Sequence, residues 1–178
     1  MDVKPLKIGV SACLLGELVR YDGGHKRNQM LLDYLALRYA LVPICPEVAA
    51  GLGVPRPPVQ LVARGIEIRA VGVLDEHLDV TQPLIEYGRQ VTAAAMGLCG
   101  FVFKSRSPSC GLGTTPIRNE GGGHDVGNGL FAQQIVQAWP ELPVIDEESL
   151  QQPLLRQLFL RQVEAYGKRG SGVACWLL

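Results

Sequence analysis

Gly100-Phe101-Val102-Phe103-Lys104-Ser105-Arg106-Ser107-Pro108-Ser109-Cys110-Gly111 is the stretch around which the chain is organised. An apolar run breaks there into three serines, two cations, a proline and a cysteine. A buried strand that ends this way delivers reactive groups to a loop held by a rigid element. Two other places repeat the arrangement: Ile8-Gly9-Val10-Ser11-Ala12-Cys13 runs into Leu14-Leu15-Gly16, and Ala40-Leu41-Val42-Pro43-Ile44-Cys45 runs into Pro46-Glu47. If the three segments lie parallel in one sheet, three thiols emerge on the same edge.

Working outward, residues 7–13 and 40–45 read as short strands buried on both faces, as in a parallel sheet. Between them Asn28 is placed to cap a helix carrying Met30, Leu31, Tyr34, Leu35 and Leu37. Val54-Pro55-Arg56-Pro57-Pro58-Val59 is excluded from helix and central strand by its prolines and reads as a rigid wall beside the site. Gln60 to Val73 alternates around Arg64-Gly65, predicting two strands and a tight turn with Ile66, Ile68 and Ala70 on one face. A helix is predicted from Asp79 to about Met96, then the central strand from Cys99 to Lys104. Residues 111–129 are glycine-rich and polar and read as a loop covering the site. Phe131, Ile135, Val136 and Trp139 mark another helix and residues 142–145 a strand. A last helix, from Asp146 to Lys168, has Leu154, Leu155, Leu158, Val163 and Tyr166 among its apolar positions. Together these predict an α/β fold: a single doubly wound domain over residues 1–178, with a mainly parallel sheet, helices on both faces and a short β-hairpin insertion. Ligands in such folds sit at the carboxyl ends of the strands.

Composition narrows the function classes. The 178 residues carry 17 basic and 17 acidic side chains, so no global field favours nucleic acid or an anionic membrane. No apolar run approaches the roughly 18 residues of a membrane span. Five cysteines, an odd number, without a leader segment fit a cytoplasmic, reducing setting in which thiols stay available as ligands or nucleophiles. Oligomeric state is not legible.

Cys13, Cys45 and Cys110 lie 32 and 65 residues apart with no CxxC pair, so context rather than spacing carries the argument. A free cysteine taken singly is most often a small buried hydrophobe. Three at strand ends instead make a soft donor set suited to zinc, copper(I) or an iron-sulfur cluster, with one metal position left open. Cys99 and Cys175 lack this context and are assigned to packing. His124-Asp125 reads as a solvated pair in a loop, and Gly127-Asn128-Gly129 alone is a weak anion-binding signal.

Ser11-Ala12-Cys13-Leu14-Leu15-Gly16, Val19-Arg20-Tyr21-Asp22-Gly23, Cys45-Pro46-Glu47 with Pro55-Arg56-Pro57, and Lys104 through Gly111 together resemble the 2-thiouracil desulfurase family, long catalogued as a bacterial domain of unknown function. The resemblance runs in order over about residues 5–150, leaving a C-terminal helix and tail over residues 146–178. It implies a 4Fe-4S cluster held by Cys13, Cys45 and Cys110, with one iron open to the sulfur of a thiolated base and acting as a Lewis acid. It implies Glu47 as general base and Ser107 as the residue that orients substrate. Ser105 and Ser109 stand as alternates to Ser107, and Arg56, Lys104 and Arg106 as cations supporting the cluster. Asp22 is either a turn-builder or part of the site. The expected activity is non-redox desulfuration of a thiolated pyrimidine such as 2-thiouracil to uracil and sulfide, with a small-molecule partner and neither membrane nor nucleic acid. Competing readings are a cluster enzyme for a thiolated nucleoside or a hydroxy acid, and a non-catalytic module holding structural zinc.

Overall fold

The computed structural model describes residues 5–94 and 96–169; Cys175 lies outside the described residues. Two four-stranded sheets organise the chain. The first contains β1 (Lys7–Ser11), β2 (Ala40–Ile44), β5 (Leu98–Phe103) and β8 (Val144–Asp146) in the order β2-β1-β5-β8. All three pairings are parallel. The chain steps outward from β1 to β2 and later returns on the other side of β1 to β5. The order therefore reverses at β1, and the crevice beyond the carboxyl ends there is where such sheets bind ligands.

Helices cover both faces. On one, α2 (Gln29–Leu35) and α6 (Pro153–Lys168) contribute Leu31, Leu35, Phe159 and Val163 to a cluster with Ile8, Val10, Cys99 and Val102. On the other, α4 (Thr81–Ala93) and α5 (Leu130–Ala138) pack Val91, Phe131, Ala132 and Ile135 against Ile44, Phe101 and Phe103. Successive residues of β5 thus enter opposite clusters, as the pleat requires. Asn28 caps α2 as expected, its side chain accepting the Leu31 N–H at 2.9 Å. Gly9 sits where a Cβ would stand 2.6 Å from Cδ2 of Phe101, so the central ring fits only against a bare backbone.

Several expectations need correction. The hairpin of β3 (Val59–Arg64) and β4 (Glu67–Gly72) is no isolated insertion. It pairs through β3 with β6 (Thr115–Arg118), which pairs with β7 (His124–Gly127), giving the second sheet in the order β4-β3-β6-β7. Half of that sheet comes from the stretch read as loop. Ile66 lies in the turn, fully exposed, and does not share a buried face with Ala70. The first strand stops at Ser11, and Cys13 belongs to the one-turn helix α1 (Ala12–Leu15). Asp146 ends β8 rather than starting a helix. Its carboxylate accepts the Glu148 and Ser149 N–H groups and the Ser149 hydroxyl, capping a short 3-10 turn over Ser149–Gln151 before α6. Leu154 and Leu158 on α6 are exposed; the buried stripe is Phe159, Val163 and Gly167.

Candidate active site

The carboxyl ends of β1, β2 and β5 open into a cavity of ≈ 450 Å³ lined by Cys13, Cys45 and Cys110 together with Glu47, Arg56 and Ser109, among others. Each thiol arrives by a different device. Cys13 lies on α1, directly after β1. Cys45 is the N-cap of α3 (Pro46–Ala49), with its thiol 3.8 Å from the Val19 carbonyl. Cys110 closes the turn after β5 and is buried. Burial pushes the Cys13 thiol up to about 11, Cys45 adding to the rise while Lys104 and Arg20 oppose it. Burial likewise raises Cys45 and Cys110, and Cys13 adds to the rise at Cys110. Cys99 sits fully buried in the core and away from the cavity lining.

Glu47 is fixed from both sides. Arg56 donates to its Oε2 from Nε at 2.9 Å and from Nη2 at 2.5 Å, a fork that exploits guanidinium planarity. The third arm, Nη1, donates to the Gly53 carbonyl at 2.9 Å, so the proline-rich segment holds Arg56 while Arg56 holds Glu47. The Ser109 hydroxyl donates to Glu47 Oε1 at 2.8 Å. With that proton committed, the 3.0 Å contact between the Ser107 and Ser109 hydroxyls must run from Ser107 to Ser109. Ser107 Oγ in turn accepts the Cys110 N–H at 3.1 Å and the Ser109 N–H at 3.3 Å. A continuous relay therefore joins the turn bearing Cys110 to the carboxylate beside Cys45. The Ser109–Glu47 bond spans 62 residues of sequence and is invisible to motif reading.

Lys104 and Ser105 form a second unit. Lys104 Nζ donates to the Ser105 carbonyl and hydroxyl, each at 3.1 Å, and to Glu147. Glu147 also accepts the Ser105 N–H at 2.6 Å and hydroxyl at 2.9 Å. All three ammonium protons are thereby taken up within the loop. Glu147 was missed in the sequence because it follows an unremarkable strand. Arg106 adopts φ 56°, a left-handed position held by its N–H to Thr114 Oγ1 at 2.9 Å, and its side chain pairs with Glu148 near the surface. Asp22 builds its turn: its Oδ1 accepts the Gly24 N–H at 3.0 Å, which with Arg20 holds the carboxyl below the usual range. Asp22 does not line the cavity. His124 and Asp125 lie on the exposed β7, where Asp125 accepts from Asn119 at 2.9 Å.

The glycines at 127–129 find a role in this geometry. At the start of α5 the Gly129, Leu130 and Ala132 N–H groups donate to the carbonyls of Gly111, Pro108 and Ser109 at 2.8, 3.0 and 3.0 Å. Helix donors that would otherwise lack partners thus dock the thiol-bearing turn. A Cβ on Gly129 would stand 2.5 Å from the Ser109 carbonyl carbon, which is backbone and cannot swing away. Gly129→Ala is expected to cost about 1–3 kcal/mol in urea unfolding; wild-type stability would contradict this docking role.

Comparisons with known proteins place the chain in a family. The sequence profile of the 2-thiouracil desulfurase family matches residues 8–147, spanning all three thiols and both carboxylates. A solved structure titled a 4Fe-4S-dependent thiouracil desulfidase, TudS, is similar with a TM-score of 0.64 and 32% identity, covering 88% of this chain and 99% of its own. The uncharacterized protein YbbK of Bacillus subtilis (strain 168) is 25% identical over 140 residues, covering 72% of this chain and 89% of its own. Because the family match takes in most of the chain and the solved relative shares its fold, the chain belongs to the 2-thiouracil desulfurase family, a family of enzymes.

Proposed function

We propose that the protein desulfurates a thiolated pyrimidine, 2-thiouracil or a close analogue, to the oxo base and sulfide, with Cys13, Cys45 and Cys110 holding a 4Fe-4S cluster. The observation that carries this reading is the convergence of three thiols, one buried and two half-buried, and a forked carboxylate on one cavity. The donor set fits the group. Three thiols line one cavity, whereas a structural zinc site converges four ligands on one point. A multi-iron cluster instead takes one thiolate at each of several irons, so its ligands surround a volume rather than converge on a point. When bound, such a cluster with three cysteine ligands supplies an open iron, a soft Lewis acid suited to thiocarbonyl sulfur.

The chain's own groups then have defined tasks. Both lone pairs of Glu47 Oε2 are engaged by Arg56, whereas among the described residues Oε1 receives Ser109 alone and keeps one lone pair for the cavity. Glu47 Oε1 takes a proton from water as the water oxygen bonds to the thiocarbonyl carbon. The carbon–sulfur bond breaks, the electron pair leaves with sulfur, and the proton held by Glu47 is passed on to the products. The sum is thiouracil plus water giving uracil plus hydrogen sulfide, with no net electron transfer. Arg56 fixes the angle of the carboxylate, and Ser107 lines the cavity where it can orient the ring. Lys104, saturated by Ser105 and Glu147, contributes positive charge beside Cys13 rather than a substrate bond. The test is anaerobic reconstitution with iron and sulfide followed by 2-thiouracil: equal amounts of uracil and new sulfide are expected, and uracil-free mixtures from a fully loaded protein would overturn the reading.

A further inference from the structure

Loop 16–28 places Tyr21 at the cavity wall. Tyr21 is the one aromatic residue lining the cavity among the described residues, is 42% exposed, and belongs to none of the three core clusters. Its placement is nonetheless well determined. The Tyr21 carbonyl accepts the Arg56 N–H at 2.9 Å, tying the loop to the residue that forks Glu47. Two positions earlier, the Val19 carbonyl faces the Cys45 thiol at 3.8 Å. The loop closes on itself through Gly23 N–H to the Arg20 carbonyl at 3.0 Å, Arg20 N–H to the Gly24 carbonyl at 3.2 Å, and the Arg20–Asp22 pair at 3.4 Å. The Arg20 guanidinium lies over the Tyr21 ring, 5.3 Å from its centroid. An exposed aromatic residue fixed by its own backbone and one cation, in the wall of the cavity that also holds a carboxylate and three thiols, is a surface without a packing role.

Resting on the function proposed above, we propose that Tyr21, backed by Arg20, is the stacking surface for the planar ring of the substrate and so selects for an unsaturated heterocycle. The chemistry is that of base recognition by aromatic and guanidinium planes, which is driven by the π-face and tolerates different ring substituents. The cations nearer the thiols are already committed: Arg56 to Glu47 and Gly53, and Lys104 to Ser105 and Glu147. Ser107 can meet the edge of the ring, and the Tyr21 face is the surface offered to its plane.

Uracil and 5,6-dihydrouracil offer the same hydrogen-bonding edges, but saturation removes the planar π-system. Their equilibrium affinities for the reconstituted protein, measured by calorimetry, therefore isolate stacking. Wild type is expected to prefer uracil by about tenfold; Tyr21→Phe keeps the preference, and Tyr21→Ala brings the ratio close to one while iron content stays at the wild-type level. An unchanged ratio in Tyr21→Ala, or no preference in the wild type, overturns the proposal even if 2-thiouracil is turned over normally. A loaded protein that binds neither ring and releases no sulfide overturns the proposed function together with it.

Discussion

Glu47→Gln is expected to lower sulfide release about a hundredfold to ten-thousandfold while leaving iron content and folding unchanged. The amide oxygen of glutamine still accepts from Arg56, so the fork survives, while the NH2 in place of Oε1 can neither take a proton nor accept from Ser109, whose hydroxyl must turn to accept from it. Glu47→Ala is a poorer probe. It would strand a guanidinium whose side chain is 3% exposed, and breaking such a buried pair costs about 3–5 kcal/mol. A glutamine variant with near wild-type turnover would remove Glu47 as the base and shift the role to a bound water or to the Ser107–Ser109 relay. Single-turnover sulfide release, with iron counted in the same samples, is the deciding measurement.

The second large effect is expected at Glu147. Glu147→Ala leaves Lys104 without its carboxylate and removes the acceptor of the Ser105 N–H and hydroxyl, all in a nearly buried setting. Loss of about 3–5 kcal/mol in urea unfolding is expected, with poor cluster loading because the turn to Cys110 begins at these residues. The double variant Lys104→Met/Glu147→Leu is expected to recover part of that stability, since removing both charges abolishes the unpaired ion but leaves the Ser105 N–H and hydroxyl without their acceptor. If the double variant is as unstable as the single one, the network acts through shape rather than charge.

The first sheet was legible because its strands are short, apolar and bounded: Ile8 to Ser11, Leu41 to Ile44 and Phe101 to Phe103 each end at a change of chemistry. The shared carboxyl edge of those strands gathers Cys13, Cys45 and Cys110 at one cavity. The second sheet was not legible in β6 and β7. Thr115-Pro116-Ile117-Arg118 contains a proline, and His124 to Gly127 is exposed and polar, so neither shows the alternation that marks a half-buried strand. Their strand form is imposed by pairing with β3, a tertiary effect. In the site, residue types were legible but partnerships were not. Ser109 reaches Glu47 across 62 positions and Ser105 reaches Glu147 across 42, and nothing local encodes either bond. Asp22 resolves into the turn-building alternative, its local spacing to Gly24 having pointed that way.

The most direct test of the central claim is to count iron and new sulfide together. Wild type and the Cys13→Ser, Cys45→Ser and Cys110→Ser variants are reconstituted anaerobically, assayed for bound iron, and mixed with 2-thiouracil. The account predicts a brown wild-type protein with about four irons per chain, uracil and sulfide formed in equal amounts, and loss of both iron and turnover in each serine variant. A colourless wild type that binds one zinc and releases no sulfide, or turnover that survives removal of the three thiols, would contradict it.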